Sequence, residues 1–198
     1  MRYQIAPLFV RPWTINGMTP QMIESHYENN YGAAFVRLNA IAEELAALDP
    51  QTTPAHVVSR LKQEEMAALN CTLLHELYFA SLGGDGRAVP EMMGSAIERD
   101  FGSVDRWRRE FIALGNALAI NSGWVLLTWV PRDGRLINQT VSDTSPGVAG
   151  GIPILALDMY EHSYHMDFGA KAAGYVDTFM DVIRWNNAEQ LLVRMTSG

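Results

Sequence analysis

The apolar pattern of this chain changes period between Leu118 and Trp124, and that change limits the folds open to it. Before it, apolar side chains recur every three or four residues, the spacing of one helix face. After it, Trp124–Val130 is rich in β-branched and aromatic residues, which reads as a strand. Residues 131–134 read as a turn and 135–142 as the returning strand of a hairpin. Residues 145–151 form a glycine-rich loop, and 152–157 a short buried strand with Asp158 at its end. From 174 to 195 the pattern is helical again. The class implied is α+β, with about three antiparallel strands in the second half.

The first half is expected to be helical throughout. Thr19-Pro20 is a helix start: a capping hydroxyl, then a proline where its missing N–H is harmless. Phe35, Leu38, Ile41, Leu45 and Leu48 then mark one long helix, ended by Asp49-Pro50, with His26 in its early turns. Thr53-Pro54 starts a second. It carries one stripe of Val57, Val58 and Leu61 and another of Met66, Leu69, Leu73 and Tyr78, with His75 inside the latter. Gly83-Gly84-Asp85-Gly86 is the densest loop signal of the first half. It divides the chain into a helical-hairpin domain, 1–86, and a second domain, 87–198, with a three-stranded antiparallel sheet flanked by helices. Ser103 caps a helix with Val104, Trp107, Phe111, Leu114 and Leu118 on one face.

Composition removes several function classes. At 198 residues, 48% hydrophobic and 19% charged, the chain is an ordinary globular domain. Fifteen basic against 22 acidic residues give a net charge of −7, which argues against nucleic acid and anionic membranes as partners. The single cysteine, Cys71, cannot close an intrachain disulfide or build a multi-cysteine zinc or iron–sulfur site, and it suits a reducing compartment. The N-terminal apolar stretch is broken by Pro7 and Arg11, and no apolar run approaches the roughly 18 residues of a membrane span. A soluble cytoplasmic protein is expected.

Chemistry then falls to five histidines, at 26, 56, 75, 162 and 165. Asp158 and His162 stand four apart directly after a buried strand, the kind of short rigid segment that presents metal ligands. His26 and His75 lie on separate helices. Three imidazoles and a carboxylate suit iron, manganese or zinc, and the lack of thiolates disfavours copper(I). Each piece also has a plain structural reading. An Asp-x-x-x-His pair is commonly an ion pair, and a lone histidine in an amphipathic helix is commonly a core residue. His56, beside Pro54, reads as solvated.

Asp158-Met-Tyr-Glu-His-Ser-Tyr-His-Met-Asp167 resembles the D-x-W-E-H-A-Y signature of the iron/manganese superoxide dismutase family. Asp100-Phe-Gly-Ser103 resembles the family's D-F-G-S segment, Asn121-Ser-Gly-Trp124 its G-S-G-W lead into the first strand, and His75 with Leu77-Tyr78-Phe79 its H-x-F-Y-W motif. His26-Tyr27, with Leu38-Asn39 a dozen residues on, matches the helix of its first ligand. The resemblance is collinear over nearly the whole chain. It implies that His26, His75, Asp158 and His162 coordinate one iron or manganese ion per subunit, with solvent as fifth ligand. Glu161 would hydrogen-bond the last histidine across a homodimer interface, a contact that orients the ring. Tyr78, Trp124 and Tyr160 would line the pocket, and His165 would lie at the interface of a dimer or tetramer. The implied reaction converts superoxide, a small anion, to dioxygen and hydrogen peroxide. The alternative keeps the fold and metal but has peroxide-type redox activity, or a structural role without dismutation.

Departures from the family pattern cluster around the ligands. The gateway tyrosine falls on Ala34, a histidine on Asn30, a lysine on Asn29, and the tryptophan of W-E-H on Tyr160. The tyrosine three after the last ligand is His165, and an arginine position is Ala172, beside Lys171. The glutamine that holds bound solvent is Cys71 at its iron-type position. At its manganese-type position, near 142–143, Gln139 is close but needs a shifted register. From these we expect Asn30 or Tyr31 to hydrogen-bond the partner subunit's His165, and Cys71 to be a buried core residue.

Overall fold

The computed structural model describes residues 2–142 and 147–196. Thr19 does cap a helix: its Oγ1 accepts the Met22 N–H at 3.2 Å, and Pro20 occupies the first position. The long helix predicted to follow is interrupted. Helix α1, Pro20–Ser25, passes into a π-helical turn, His26–Tyr31, and then into α2, Gly32–Ala47. The stripe that marked this helix begins at Phe35, wholly beyond the wide turn, so periodicity had no means of registering it.

Helix α3, Ala55–Ala80, returns against α2, and Leu38 and Ile41 meet Ala68 in a small satellite core. Of its expected stripe, Met66 and Leu73 point outward, 58% and 51% exposed. The buried face runs through Leu61, Ala68, Thr72, His75, Tyr78 and Phe79, of which Leu61 and Tyr78 belong to the expected stripes. Ala68 and Thr72, small or polar, fill part of that face, so counting large apolar residues misplaced Met66 and Leu73.

Helices α4, Glu91–Phe101, and α5, Val104–Leu118, meet at Gly102, whose φ of 87° ends α4, while the Ser103 hydroxyl accepts the Arg106 N–H at 3.1 Å. Strand β1, Trp124–Val130, is buried along its whole length. Among the described residues it is the centre of a three-stranded antiparallel sheet, between β2, Arg135–Val141, and β3, Ile152–Asp158. The register sets Trp124 opposite Asp158, at the end of the sheet nearest the N-terminal helices.

The predicted C-terminal helix is two helices. A short α6, His165–Phe168, precedes α7, Ala172–Asp181, and α8, Trp185–Thr196. The break has a tertiary cause. The loop after α3 hydrogen-bonds to the intervening backbone, Gly84 N to Val182 O at 2.9 Å, Gly86 N to Asp181 O at 3.0 Å and Arg184 N to Ser81 O at 2.7 Å. A side chain at Gly86 would overlap the Met180 carbonyl, so the glycine loop is a seam. A hydrophobic cluster runs from Met22 and Ile23 through Tyr78, the sheet and Phe179 to Leu192. No described helix is long and apolar enough to cross a membrane.

Candidate metal centre

Four segments converge at the end of the sheet. His26 opens the π turn, His75 lies near the end of α3, Asp158 ends β3, and His162 sits in the short turn Glu161–Ser163. One ligand atom from each lies within 4.8 Å of the others. Asp158 Oδ2 is the hub, 3.2 Å from His26 Nε2, 3.7 Å from His75 Nε2 and 3.2 Å from His162 Nε2. The first three residues are buried, whereas the His162 side chain is 30% exposed.

Local structure aims these donors. Asp158 Oδ1 accepts the Tyr160 N–H at 2.8 Å, and Ser163 Oγ donates to the Asp158 and Tyr160 carbonyls at 2.8 and 2.7 Å. This bonded turn folds the chain back, so that His162 meets the other carboxylate oxygen. His75 Nδ1 is bonded to the Cys71 carbonyl at 2.7 Å. As the donor there, Nδ1 carries the proton and Nε2 presents its lone pair to the centre. His26 has no ring hydrogen-bond partner among the described residues. Aromatic neighbours hold it instead, with Tyr78 and Phe79 at 5.1 and 5.0 Å between ring centres.

Burial lowers the pKa of His75 to about 4, only partly opposed by Asp158, and lowers that of His26 for the same reason. Burial works against the Asp158 charge as well, but the His162 and His26 rings beside it hold its carboxyl below the usual range. The centre therefore offers a carboxylate and neutral buried imidazoles. His26 Nε2 and His75 Nε2 are buried without a hydrogen-bond partner, a costly state for polar nitrogens. A cation bound between them and Oδ2 removes that cost. The residues fit an iron, manganese or zinc ion.

The other sequence-predicted residues divide into two sets. Trp124 edges onto His75 at 5.1 Å, and Tyr160 stacks on His162 at 5.7 Å. The Tyr78 hydroxyl meets that of Tyr175 at 3.1 Å, both phenols fully buried. These three wall the centre. Glu161 and His165 are exposed beside His162, and His56 is exposed near the start of α3.

The expectation for Cys71 is corrected, and Gln139 and Tyr31 are placed. Cys71 is half-buried rather than in the core, with Sγ 3.6 Å from His75 Nδ1, because its helix position faces the ligand side chain one turn on. Gln139 does not reach the centre. Its amide donates to Thr128 Oγ1 at 2.8 Å and accepts the Val148 N–H at 2.9 Å, pinning a loop to the sheet, while Asp143 lies outside the described residues. The Tyr31 hydroxyl is engaged within its own chain, accepting the Ala6 N–H at 2.8 Å and donating to Glu76 at 2.9 Å. Sequence reasoning missed Glu76, Tyr175 and Ser163. Ser163 and Glu76 each adjoin a histidine of the cluster, the one available signal.

Residues 90–191 match the family model described as iron/manganese superoxide dismutases, C-terminal domain. An iron superoxide dismutase of Cupriavidus metallidurans is 57% identical to this chain over 95% of both sequences. The manganese superoxide dismutase 2 of Halobacterium salinarum is 32% identical over 88% of each. The manganese superoxide dismutase of Listeria ivanovii is 30% identical, covering 94% of this chain and 95% of its own.

Proposed function

Because the chain belongs to the iron/manganese superoxide dismutase family, we propose that His26, His75, Asp158 and His162 hold one iron or manganese ion that dismutes superoxide to dioxygen and hydrogen peroxide. The observation that carries this reading is the convergence of three imidazole nitrogens on one buried carboxylate oxygen. Held there, the ion would supply one-electron redox chemistry. Asp158 offsets part of its charge, and neutral histidines complete the set without adding positive charge. Trp124, Tyr78 and Tyr160 exclude water around the donors, so that electrostatic interactions inside are stronger than in solution.

Among the four donors only the His162 side chain is partly exposed in the single chain. In this reading Glu161 and His165 belong to the contact with a second copy in a homodimer. Glu161 accepts from the ring of the partner subunit's His162, and Asn30 faces the partner subunit's His165 because the Tyr31 hydroxyl is already committed. A chain with one cysteine suits the reducing cytoplasm.

Metal-free protein loaded separately with iron and with manganese, then assayed for steady-state superoxide removal, tests the reaction. At least one form is expected to exceed the same concentration of free metal ion, and failure of both removes the reading. A second reading is favoured by Ala34, by Cys71 and by the commitment of Gln139 elsewhere, since the residues expected to manage bound solvent are absent from those positions. In that reading the same four residues would hold a redox metal whose chemistry is with peroxide. Peroxide consumption without superoxide removal by the same preparations would select it.

A further inference from the structure

We propose that Tyr31 is a positioning residue for His26, fastening the π turn to the helix of the neighbouring ligand through Glu76. This rests on the metal-centre reading above. His26 has no ring hydrogen bond to fix it, so its place is set by backbone and by packing. That backbone is the π-helical turn His26–Tyr31. Such turns are rare insertions in α-helices and concentrate at functional sites, where the surrounding structure must hold them.

The support lies at the far end of the turn. Tyr31 is 1% exposed, and its ring stacks against His75 at 6.1 Å with 26° between planes. Its hydroxyl donates to Glu76 Oε1 at 2.9 Å, and Glu76 directly follows His75 in α3. A single side chain thereby joins the turn that begins with one ligand to the residue beside another. The same hydroxyl accepts the Ala6 N–H at 2.8 Å, and Tyr27, within the same turn, donates to the Ala6 carbonyl at 2.8 Å. Two phenols therefore bind the N-terminal arm, but only Tyr31 also reaches α3 through Glu76. The roles separate by substitution. Tyr31→Phe keeps the ring stack and removes both hydroxyl bonds, Tyr27→Phe loosens the arm alone, and Glu76→Ala breaks the tie to α3 alone.

The experiment compares the iron-loaded wild type with Y31F, Y27F, E76A and E76Q. Iron retained against a graded chelator is measured by elemental analysis, the ferric electron paramagnetic resonance spectrum is recorded, and the metal-free forms are melted. Orienting partners of metal ligands are worth about 10–100-fold in metal affinity. Y31F and E76A are expected to lose metal at chelator concentrations lower by that factor, with a changed rhombicity of the ferric spectrum. E76Q, whose amide oxygen still accepts from Tyr31, is expected to resemble wild type, and Y27F to stay within about threefold of it. Unchanged retention and spectrum in Y31F and E76A would overturn the proposal even if their melting temperatures fell. Equal losses in Y27F and Y31F would overturn it too, by assigning the effect to the arm. Should Y31F fail to fold, E76A against E76Q decides alone. A wild type that holds no stoichiometric iron or manganese would instead refute the metal-centre reading.

Discussion

His75 and His26 face the same carboxylate oxygen by different means. His75 sits in regular α-helix, and the carbonyl four residues earlier, that of Cys71, orients its ring. Any helix supplies that carbonyl, so the arrangement is local. His26 sits where its helix abandons α geometry, and its ring rests between Tyr78 and Phe79, side chains of another helix. Its placement is tertiary and exists only once the hairpin has closed. One centre thus combines a ligand set by secondary structure with a ligand set by packing, and disturbance should reach the second sooner.

The largest effect tests the centre that both ligands share. His75→Ala is expected to abolish stoichiometric metal, read by elemental analysis of the purified protein, and retained metal would remove His75 from the ligand set. Next, Phe79→Ala takes away one wall of His26. It is expected to cost about 3–5 kcal/mol of stability by denaturant unfolding, as buried aromatic truncations do, and to weaken metal retention, since Phe79 lies nearer His26 than His75. A loss of stability with metal binding unchanged would show that packing does not place His26.

Acid should act on both rings. Above pH 6.5 neither the folded nor the unfolded state protonates His75, and the ring adds no pH dependence. Between pH 6.5 and about 4 the unfolded chain takes up a proton that the folded one refuses. The metal-free protein should therefore lose about 3 kcal/mol through this ring as pH falls across that window, and no more through it below. His26, also depressed by burial, adds in the same direction. Urea midpoints at pH 7.5 and 4.5 measure the sum, and equal midpoints would mean that the rings are not held neutral. The smallest effect is expected for Cys71→Ser. The carbonyl that orients His75 remains, so metal content should be unchanged and stability altered by about 1 kcal/mol or less. Loss of metal would make the thiol, rather than the backbone, the partner of His75.

This contrast also separates what was legible in the sequence. β1 was readable to its ends, because a seven-residue run rich in Val, Thr and Trp stands between a glycine and a proline. The Thr19 and Ser103 caps were readable for the same local reason. Asp158 and His162 were readable as a pair because four residues after a buried strand fix their relation. The π turn was not, since it leaves the later stripe of α2 in phase with itself. The interruption at 182–184 was not, because its partners at 81–86 lie a hundred residues away. Nor was the bond between Tyr31 and Glu76, two common residue types on different helices. Local chemistry was legible, while features held by distant backbone or side-chain partners were not.

The seam between the glycine loop and the 181–184 backbone has a consequence for the order in which the protein is made. A chain emerging from the ribosome exposes His26 and His75 long before Asp158 and His162, and the last helices that lock the loop come later still. Until then the nascent chain offers a passing cation two unsupported imidazoles and no central carboxylate. The four donors are therefore together only in a chain synthesised past His162.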